Sequence, residues 1–277
     1  RPVAEADSAG SVVVPSGGAA PPAAGRRSDM SDDQVTKEMA TLTGDLKGAF
    51  GEELLSVVLY GSAARADYLG HKGSDLNVVV VLRDISLQSL ERGTRVTRAW
   101  ESAGNRPLLF FSPDWIAGSC DVFPLEFLDI VTWHRVVHGA DPFAGLKVSL
   151  GNLRLQCESE LKTKLIHLRT GYIQLHEDSE SLAKLLAASY SPITTICRGV
   201  LRLAGAAVPD NAHDVVRAAA ALCGFEPGPF EEVAAVKKGG PGAASTAIKP
   251  LFRAYHTQVE TLARAVDAGL IIKGANQ

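Results

Sequence analysis

The amino-acid sequence predicts an α/β domain built on a mixed sheet, followed by an all-helical domain. Short apolar runs rich in valine alternate with helical patterns up to residue 145, which is typical of an α/β sheet. Beyond that point only helical periodicity remains. We therefore divide the chain into a tail, a sheet domain and a helical domain, at residues 1–29, 30–145 and 146–277.

The tail and the first helix are distinguished by composition. Residues 1–29 are mainly Ala, Gly, Pro and Ser, and we expect this tail to be disordered because it has little apolar surface to bury. A helix-start signal follows at Ser31 and Asp32, and Gly51 is a plausible stop. Between them, apolar residues recur at helical spacing: Val35, Met39, Leu42, Leu46 and Phe50.

Four strands are predicted for the sheet domain. The first covers residues 54–60, and the second, at 76–82, contains four consecutive valines. A helix is predicted over 86–102, a third strand over 108–111 and a fourth over 123–130. The order of these elements favours a mixed rather than a purely parallel sheet.

The helical domain is predicted to contain five helices. Pro192 falls inside the second of them and is expected to kink or break it, because proline removes a backbone donor. The predicted helices cover residues 153–177, 180–203, 210–223, 230–237 and 247–268.

The composition of the chain argues against several classes of protein. The chain has 277 residues, 46% of them hydrophobic and 21% charged, which is the profile of a globular protein. A net charge of −3 argues against a dedicated nucleic-acid partner, and no apolar run approaches the roughly 20 residues that span a bilayer. The four cysteines have no short spacing, so we expect them to be reduced in a cytoplasmic protein.

The strongest functional pattern lies where the first predicted strand ends. A tight turn at Gly61 and Ser62 would present backbone N–H groups and a hydroxyl to a phosphate. After a spacer of twelve residues, Asp75 offers a carboxylate to Mg²⁺. Asn77 shares its face of the strand, because side chains alternate with a period of two. The layout indicates nucleotidyl transfer.

Such a site needs a third carboxylate from a neighbouring strand. Glu126 and Asp129 in the predicted fourth strand are the candidates. The period of two places them on opposite faces of that strand.

These motifs resemble the signature of the DNA polymerase β-type nucleotidyltransferase superfamily, a glycine and a serine followed by an acid, an apolar residue and a second acid. The segments YGSAAR, SDLN and PLEF are similar to those of bacterial aminoglycoside adenylyltransferases and minimal nucleotidyltransferase proteins. Those families combine the α/β domain with a helical domain or a helical partner protein. The resemblance covers roughly residues 35–145 by motif.

The resemblance implies roles for individual residues. Gly61 and Ser62 would contact the triphosphate of ATP or another nucleoside triphosphate, and Arg65 could reach a phosphate. Asp75 would act in catalysis as a ligand of Mg²⁺. Glu126 would be a metal ligand or the general base that activates the acceptor hydroxyl.

Asn77 departs from the family pattern, which has an acid at this position. Its amide oxygen can join Asp75 and Glu126 as a metal ligand, but it does not offset the charge of Mg²⁺ as a carboxylate does. The substitution argues against two-metal catalysis and leaves one-metal or weaker nucleotide binding open.

Two functional hypotheses follow. In the first, the protein transfers a nucleoside monophosphate, AMP from ATP, to a hydroxyl of a small molecule or a protein held between the two domains. In the alternative, the same fold is a catalytically degenerate nucleotide-binding or protein-interaction module. A nucleoside triphosphate is the expected ligand of the transferase and of a nucleotide-binding module, and neither hypothesis expects nucleic acid or a membrane.

Other polar residues are assigned ordinary roles. His134 and His138, four residues apart, are predicted to share a helix face and to serve in packing or capping. Glu158, Glu160 and Glu177 could supply an acid to the acceptor site, but charged residues on helices usually belong to a solvated face, and that is the role predicted for them.

Overall fold

The computed structural model describes residues 32–64, 76–239 and 247–269 of the chain. The tail, Arg65 and Asp75 lie outside these ranges, as does the side chain of Ser62. The expectations for these residues therefore stay predictions.

The first part of the described chain combines strands and helices. Its strands are β1 (Leu54–Tyr60), β2 (Asn77–Leu82), β3 (Leu109–Phe111) and β4 (His134–Gly139). Its α-helices are α1 (Asp32–Phe50), α2 (Leu87–Glu91), α3 (Thr94–Ser102), α4 (Pro113–Ser119) and α5 (Pro124–Thr132). The second part contributes α6 (Leu150–Gln174), α7 (Ser179–Leu203), α8 (Ala212–Cys223), α9 (Gly228–Lys237) and α10 (Ile248–Asp267).

The strands form one mixed sheet, as the sequence predicts, and their order is β3-β2-β1-β4. β1 runs antiparallel to both β2 and β4, and β2 runs parallel to β3. Alternation along β1 sends Val57 and Leu59 into the core beneath α1, whereas Val58 and Tyr60 face the opposite core. The cavity described below opens on that opposite face.

The predicted strand over residues 123–130 is wrong, because this segment forms helix α5. Pro124 occupies the first turn, where a missing backbone N–H costs nothing. Phe127 packs into the sheet core and Leu125 into the helical core, so the helix is buried on two sides. A short apolar run of this kind has the same sequence pattern as a buried strand.

The fourth strand of the sheet is instead β4, which contains His134 and His138. The prediction that these two residues share a helix face is therefore wrong. A bulge interrupts the pairing of β4 with β1 between the two histidines, so their side chains have different neighbours. The ring of His134 lies 5.6 Å from that of Phe143. Burial and the nearby Lys47 of α1 lower the pKa of His138.

The five helices predicted after residue 146 are all present as α6–α10. The helix is not broken at Pro192, because α7 continues from Ser179 to Leu203. Ile193 and Ile196 beside the proline are buried in the helical core, and this packing compensates for the missing hydrogen bond. Within the described ranges, every helix is too short or too polar to cross a membrane.

Candidate functional site

A cavity of about 260 Å³, here called the central cavity, lies between the sheet and the helices. Its sheet wall consists of residues from the ends of the strands: Tyr60, Asn77, Leu109 and Phe111. Its helix wall contains three carboxylates, Glu126, Asp129 and Glu160, with Ser191, Pro192, Thr195 and Ile196 of α7. Asn77 and Glu126, two of the residues predicted for the site, thus meet in one cavity.

The turn after β1 is shaped by Gly61. It begins a one-turn 3₁₀ helix, Gly61–Ala64, with φ of +78°, a conformation that favours glycine. Its backbone N–H donates to the carbonyl oxygen of Trp133 at 2.9 Å. A Cβ atom at this position would lie 3.2 Å from Nδ2 of Asn77. The turn therefore packs directly against the amide that lines the cavity.

Tyr60 and Asn77 are neighbours across the β1–β2 pair. Burial raises the pKa of Tyr60 to about 12, and the positive charge of Arg106 opposes this only in part. The phenol stays protonated at neutral pH and offers the cavity a hydrogen-bond donor.

The sheet wall provides no carboxylate among its described residues. β3 lies parallel to β2, and the residues that it contributes to the cavity are Leu109 and Phe111. The prediction of a third acid from a neighbouring strand is therefore wrong. The carboxylates of the cavity come from helices instead.

Glu126 lies in the first turn of α5 and is held by Gln156 of α6. The Gln156 side chain donates from Nε2 to Oε2 of Glu126 at 2.8 Å. Its Oε1 accepts from the backbone N–H of Leu125, also at 2.8 Å. Burial raises the pKa of Glu126, and the hydrogen bond from Gln156 opposes that rise. A carboxylate with a raised pKa in a cavity suits a general base.

Asp129 lies three residues along the same helix, so it shares a face with Glu126 rather than facing away. Arg202 of α7 donates from Nη1 to Oδ1 of Asp129 at 2.7 Å and from Nη2 to Oγ1 of Thr132 at 3.1 Å. The guanidinium also lies 5.8 Å from the ring centroid of Trp133. The carboxylate of Asp129 therefore anchors α5 to α7.

Glu160 lines the central cavity, with its side chain 31% exposed. It lies 3.6 Å from the ammonium group of Lys164, one turn along α6. Glu158, by contrast, bonds to Arg154 and Lys162 and does not line the cavity.

Sequence reasoning missed several residues that shape the cavity. Gln156 and Arg202 orient the carboxylates, while Arg106 and Trp115 belong to the lining. No local sequence motif identifies such a glutamine or arginine on a long helix, because the role of the side chain depends on which helix packs against it. A sequence signal was available only for Trp115, an aromatic residue that follows shortly after a strand.

The donors near Asn77 suit Mg²⁺ in type but do not form a complete site. The amide oxygen of Asn77 and the carboxylate of Glu126 are hard oxygen ligands. The described ranges contain no group of three His, Cys, Asp or Glu side chains arranged to hold a metal ion. Completion of the site would depend on Asp75, and Mg²⁺ binding stays a prediction.

Comparisons with known proteins find similarity at the level of structure. No family model matches the chain, and no curated protein matches it in sequence. Among solved structures, the chain is similar to spectinomycin adenyltransferase AAD(9) from Enterococcus faecialis, a crystal structure with ATP and spectinomycin. The TM-score is 0.52 at 12% identity, over 84% of this chain and 99% of the other. The chain therefore shares its fold with this adenyltransferase.

Proposed function

We propose that the protein transfers a nucleoside monophosphate, AMP from ATP, to a hydroxyl group of a small molecule bound in the central cavity. The observation that carries this proposal is the position of Glu126. Its carboxyl group, with a pKa raised by burial, lines the same cavity as Asn77, which packs against the Gly61 turn. The structural relative with ATP and spectinomycin supports a nucleotide and a small acceptor as the ligands.

In the proposed reaction, the acceptor oxygen attacks the α-phosphorus of ATP and forms a new O–P bond. The bond from that phosphorus to the bridging oxygen breaks, and pyrophosphate leaves with its electron pair. Glu126 accepts the proton of the acceptor hydroxyl. Proton transfer to a positioned side chain contributes a factor of about 10²–10⁴ to such a rate.

The nucleotide would lie at the Gly61 turn. The N–H of Gly61 is bonded to Trp133, so the backbone that follows it, with Ser62 and Arg65, would hold the triphosphate. Asp75 and Asn77 would hold Mg²⁺, which when bound neutralises charge on the phosphate oxygens, and this leaves Glu126 for the role of base.

A second candidate function is nucleotide binding without transfer. One residue of the sheet wall favours it, because Asn77 occupies the position where the nucleotidyltransferase pattern has an acid. The fold and the cavity would then serve recognition alone.

Transfer of label from α-³²P-ATP separates the two candidates. The wild-type protein with Mg²⁺ and a panel of hydroxyl compounds that includes spectinomycin should label an acceptor, and Asp75→Ala should abolish the labelling. ATP binding without labelling in the wild type, together with labelling by Asn77→Asp, would instead assign the second function.

A further inference from the structure

Tyr60 ends strand β1 inside the central cavity. Of the four described strand residues that line this cavity, Leu109 and Phe111 are apolar, whereas Tyr60 and Asn77 carry polar groups. The Nδ2 atom of Asn77 packs on the turn after β1, since a Cβ atom added to Gly61 would lie only 3.2 Å from it. The phenol hydroxyl of Tyr60 is therefore the donor on the described sheet wall that is available to a ligand.

The ring of Tyr60 is held in place, but its hydroxyl is not paired. Tyr60 is opposite Asn77 of β2 and His134 of β4, and its side chain packs partly buried against the core on the cavity side of the sheet. In the described part of the chain, its hydroxyl has no hydrogen-bond partner. A tyrosine with a buried ring usually has a partner for its hydroxyl. We therefore expect this hydroxyl to bond to a ligand of the cavity.

The position of Tyr60 indicates which part of the ligand its hydroxyl meets. The next residue, Gly61, begins the turn assigned to the triphosphate, whereas Glu126, assigned to the acceptor hydroxyl, belongs to the helix wall. The α-phosphate must lie between these two groups, because its phosphorus is the atom that the acceptor oxygen attacks. A phenol is protonated at neutral pH, so it donates to a phosphate oxygen without adding negative charge.

We propose that the hydroxyl of Tyr60 donates a hydrogen bond to a non-bridging oxygen of the α-phosphate during transfer. This inference rests on the proposed function and adds Tyr60 to its catalytic residues. The phenol keeps its proton while the acceptor oxygen bonds to phosphorus and pyrophosphate leaves. A donor fixed in the sheet thus stabilises charge on the phosphate oxygens. The loss of one such donor typically lowers a rate by about 10²–10³-fold.

Tyr60→Phe removes the hydroxyl and keeps the ring. The rate of transfer at saturating ATP should fall at least about tenfold. Tyr172→Phe is the matched control, because Tyr172 lies on α6 outside the central cavity and its hydroxyl bonds to Arg253. This control should transfer at the wild-type rate. A wild-type rate in Tyr60→Phe would overturn the inference.

ATP with sulfur in place of one non-bridging oxygen of the α-phosphate locates the contact on the nucleotide. This analogue exists as two diastereomers, and its sulfur is a weaker hydrogen-bond acceptor than oxygen. With one diastereomer, Tyr60→Phe should lower the rate by less than about threefold, because the hydrogen bond is already weakened in the wild type. With the other diastereomer the loss should stay at least about tenfold. An equal loss with ATP and both diastereomers, as a mere disturbance of the fold would produce, would overturn the inference.

Calorimetric binding of α,β-methylene-ATP separates this inference from the proposed function. If the wild-type protein transfers label to none of the acceptors, the proposed function fails. Binding of the analogue that is at least about threefold weaker in Tyr60→Phe than in the wild type would then leave the contact in place. Equal affinities in a protein without transfer activity would overturn both.

Discussion

The sheet wall and the helix wall of the central cavity differ in their chemistry. Among the described residues, the sheet wall contributes an amide, a phenol and apolar groups, whereas the helix wall contributes three carboxylates. Each carboxylate of the helix wall has a partner on another helix or one turn away: Gln156, Arg202 or Lys164.

This difference means that the position of Glu126, the proposed base, depends on tertiary packing. A carboxylate on a strand is oriented by the ladder of its own sheet. Glu126 instead takes its place from the way α5 is held between the sheet and helices α6 and α7. The helical half of the chain is therefore expected to affect the chemistry as well as the stability.

Arg202→Met should give the largest effect on the helix wall, because it leaves Asp129 without its cation. We expect a loss of about 2–3 kcal/mol in the free energy of unfolding, measured by urea denaturation. Arg217→Met is the matched control, because that arginine is 58% exposed in its pair with Glu231 and should cost less than about 1 kcal/mol. Equal losses in the two variants would show that Arg202 does not anchor α5.

Gly199→Ala tests the close approach of α7 to α5 and α6. A Cβ atom there would lie 2.4 Å from Cδ2 of Leu125 and 2.8 Å from Sγ of Cys157. We expect overpacking to destabilise the protein by about 1–3 kcal/mol. Gly48→Ala in α1, where a Cβ atom would meet nothing within 4 Å, should stabilise it by up to about 1 kcal/mol. Thermal denaturation of both variants would measure the opposite signs, and a stabilised Gly199→Ala would contradict the packing.

Asn77→Asp would make the sheet wall acidic. A carboxylate in place of the amide should raise the affinity for Mg²⁺ by about tenfold in the presence of a non-hydrolysable ATP analogue, or about 1.4 kcal/mol. Calorimetric titration would measure the change. Asn152→Asp, at the start of α6 and outside the central cavity, is the control and should leave the affinity unaltered. No gain in Asn77→Asp would place the metal away from the sheet wall.

Two substitutions on α6 should shift the pKa of Glu126 in opposite directions. These shifts are the smallest effects that we expect. Gln156→Leu removes a hydrogen bond to the carboxylate and should raise this pKa, whereas Glu160→Gln removes a negative charge and should lower it. Titration of the side-chain carboxyl carbons by ¹³C NMR would measure both. Shifts in the same direction would contradict the described environment.

The same pKa sets the sign of a pH dependence. Because the folded-state pKa of Glu126 is raised, the folded protein is disfavoured by its ionisation as pH rises above the unfolded value. Transfer requires the ionised base, so the rate should rise with pH through the folded-state pKa. In Gln156→Leu this rise should occur at higher pH.

Much of the fold follows from local patterns. The valines of β2, the turn at Gly61 and the periodicity of α6–α10 each indicate their structure without reference to the rest of the chain. The segments containing Glu126 and His134 were assigned the wrong way round, one as a strand and the other as a helix. Burial on two sides gives a short helix such as α5 the apolar content of a strand.

The candidate site was predictable only in part. Asn77 and Glu126 were identified, and the structure brings them into one cavity. Gln156, Arg202 and Trp115 were not, because their contacts join elements that are distant in sequence. The spacing rule for a third acid also failed, since it assumed that the acid belongs to a strand.

The most direct test of the central claim compares Glu126→Gln with Glu180→Gln. Glu180 is a control of the same chemistry, 75% exposed at the start of α7 and outside the central cavity. With the acceptor that the wild-type protein labels best, Glu126→Gln should lower the rate of AMP transfer by at least about 100-fold. Its affinity for ATP should stay unaltered, and Glu180→Gln should transfer at the wild-type rate. Equal rates of transfer in the two variants would contradict the assignment of Glu126 as the base.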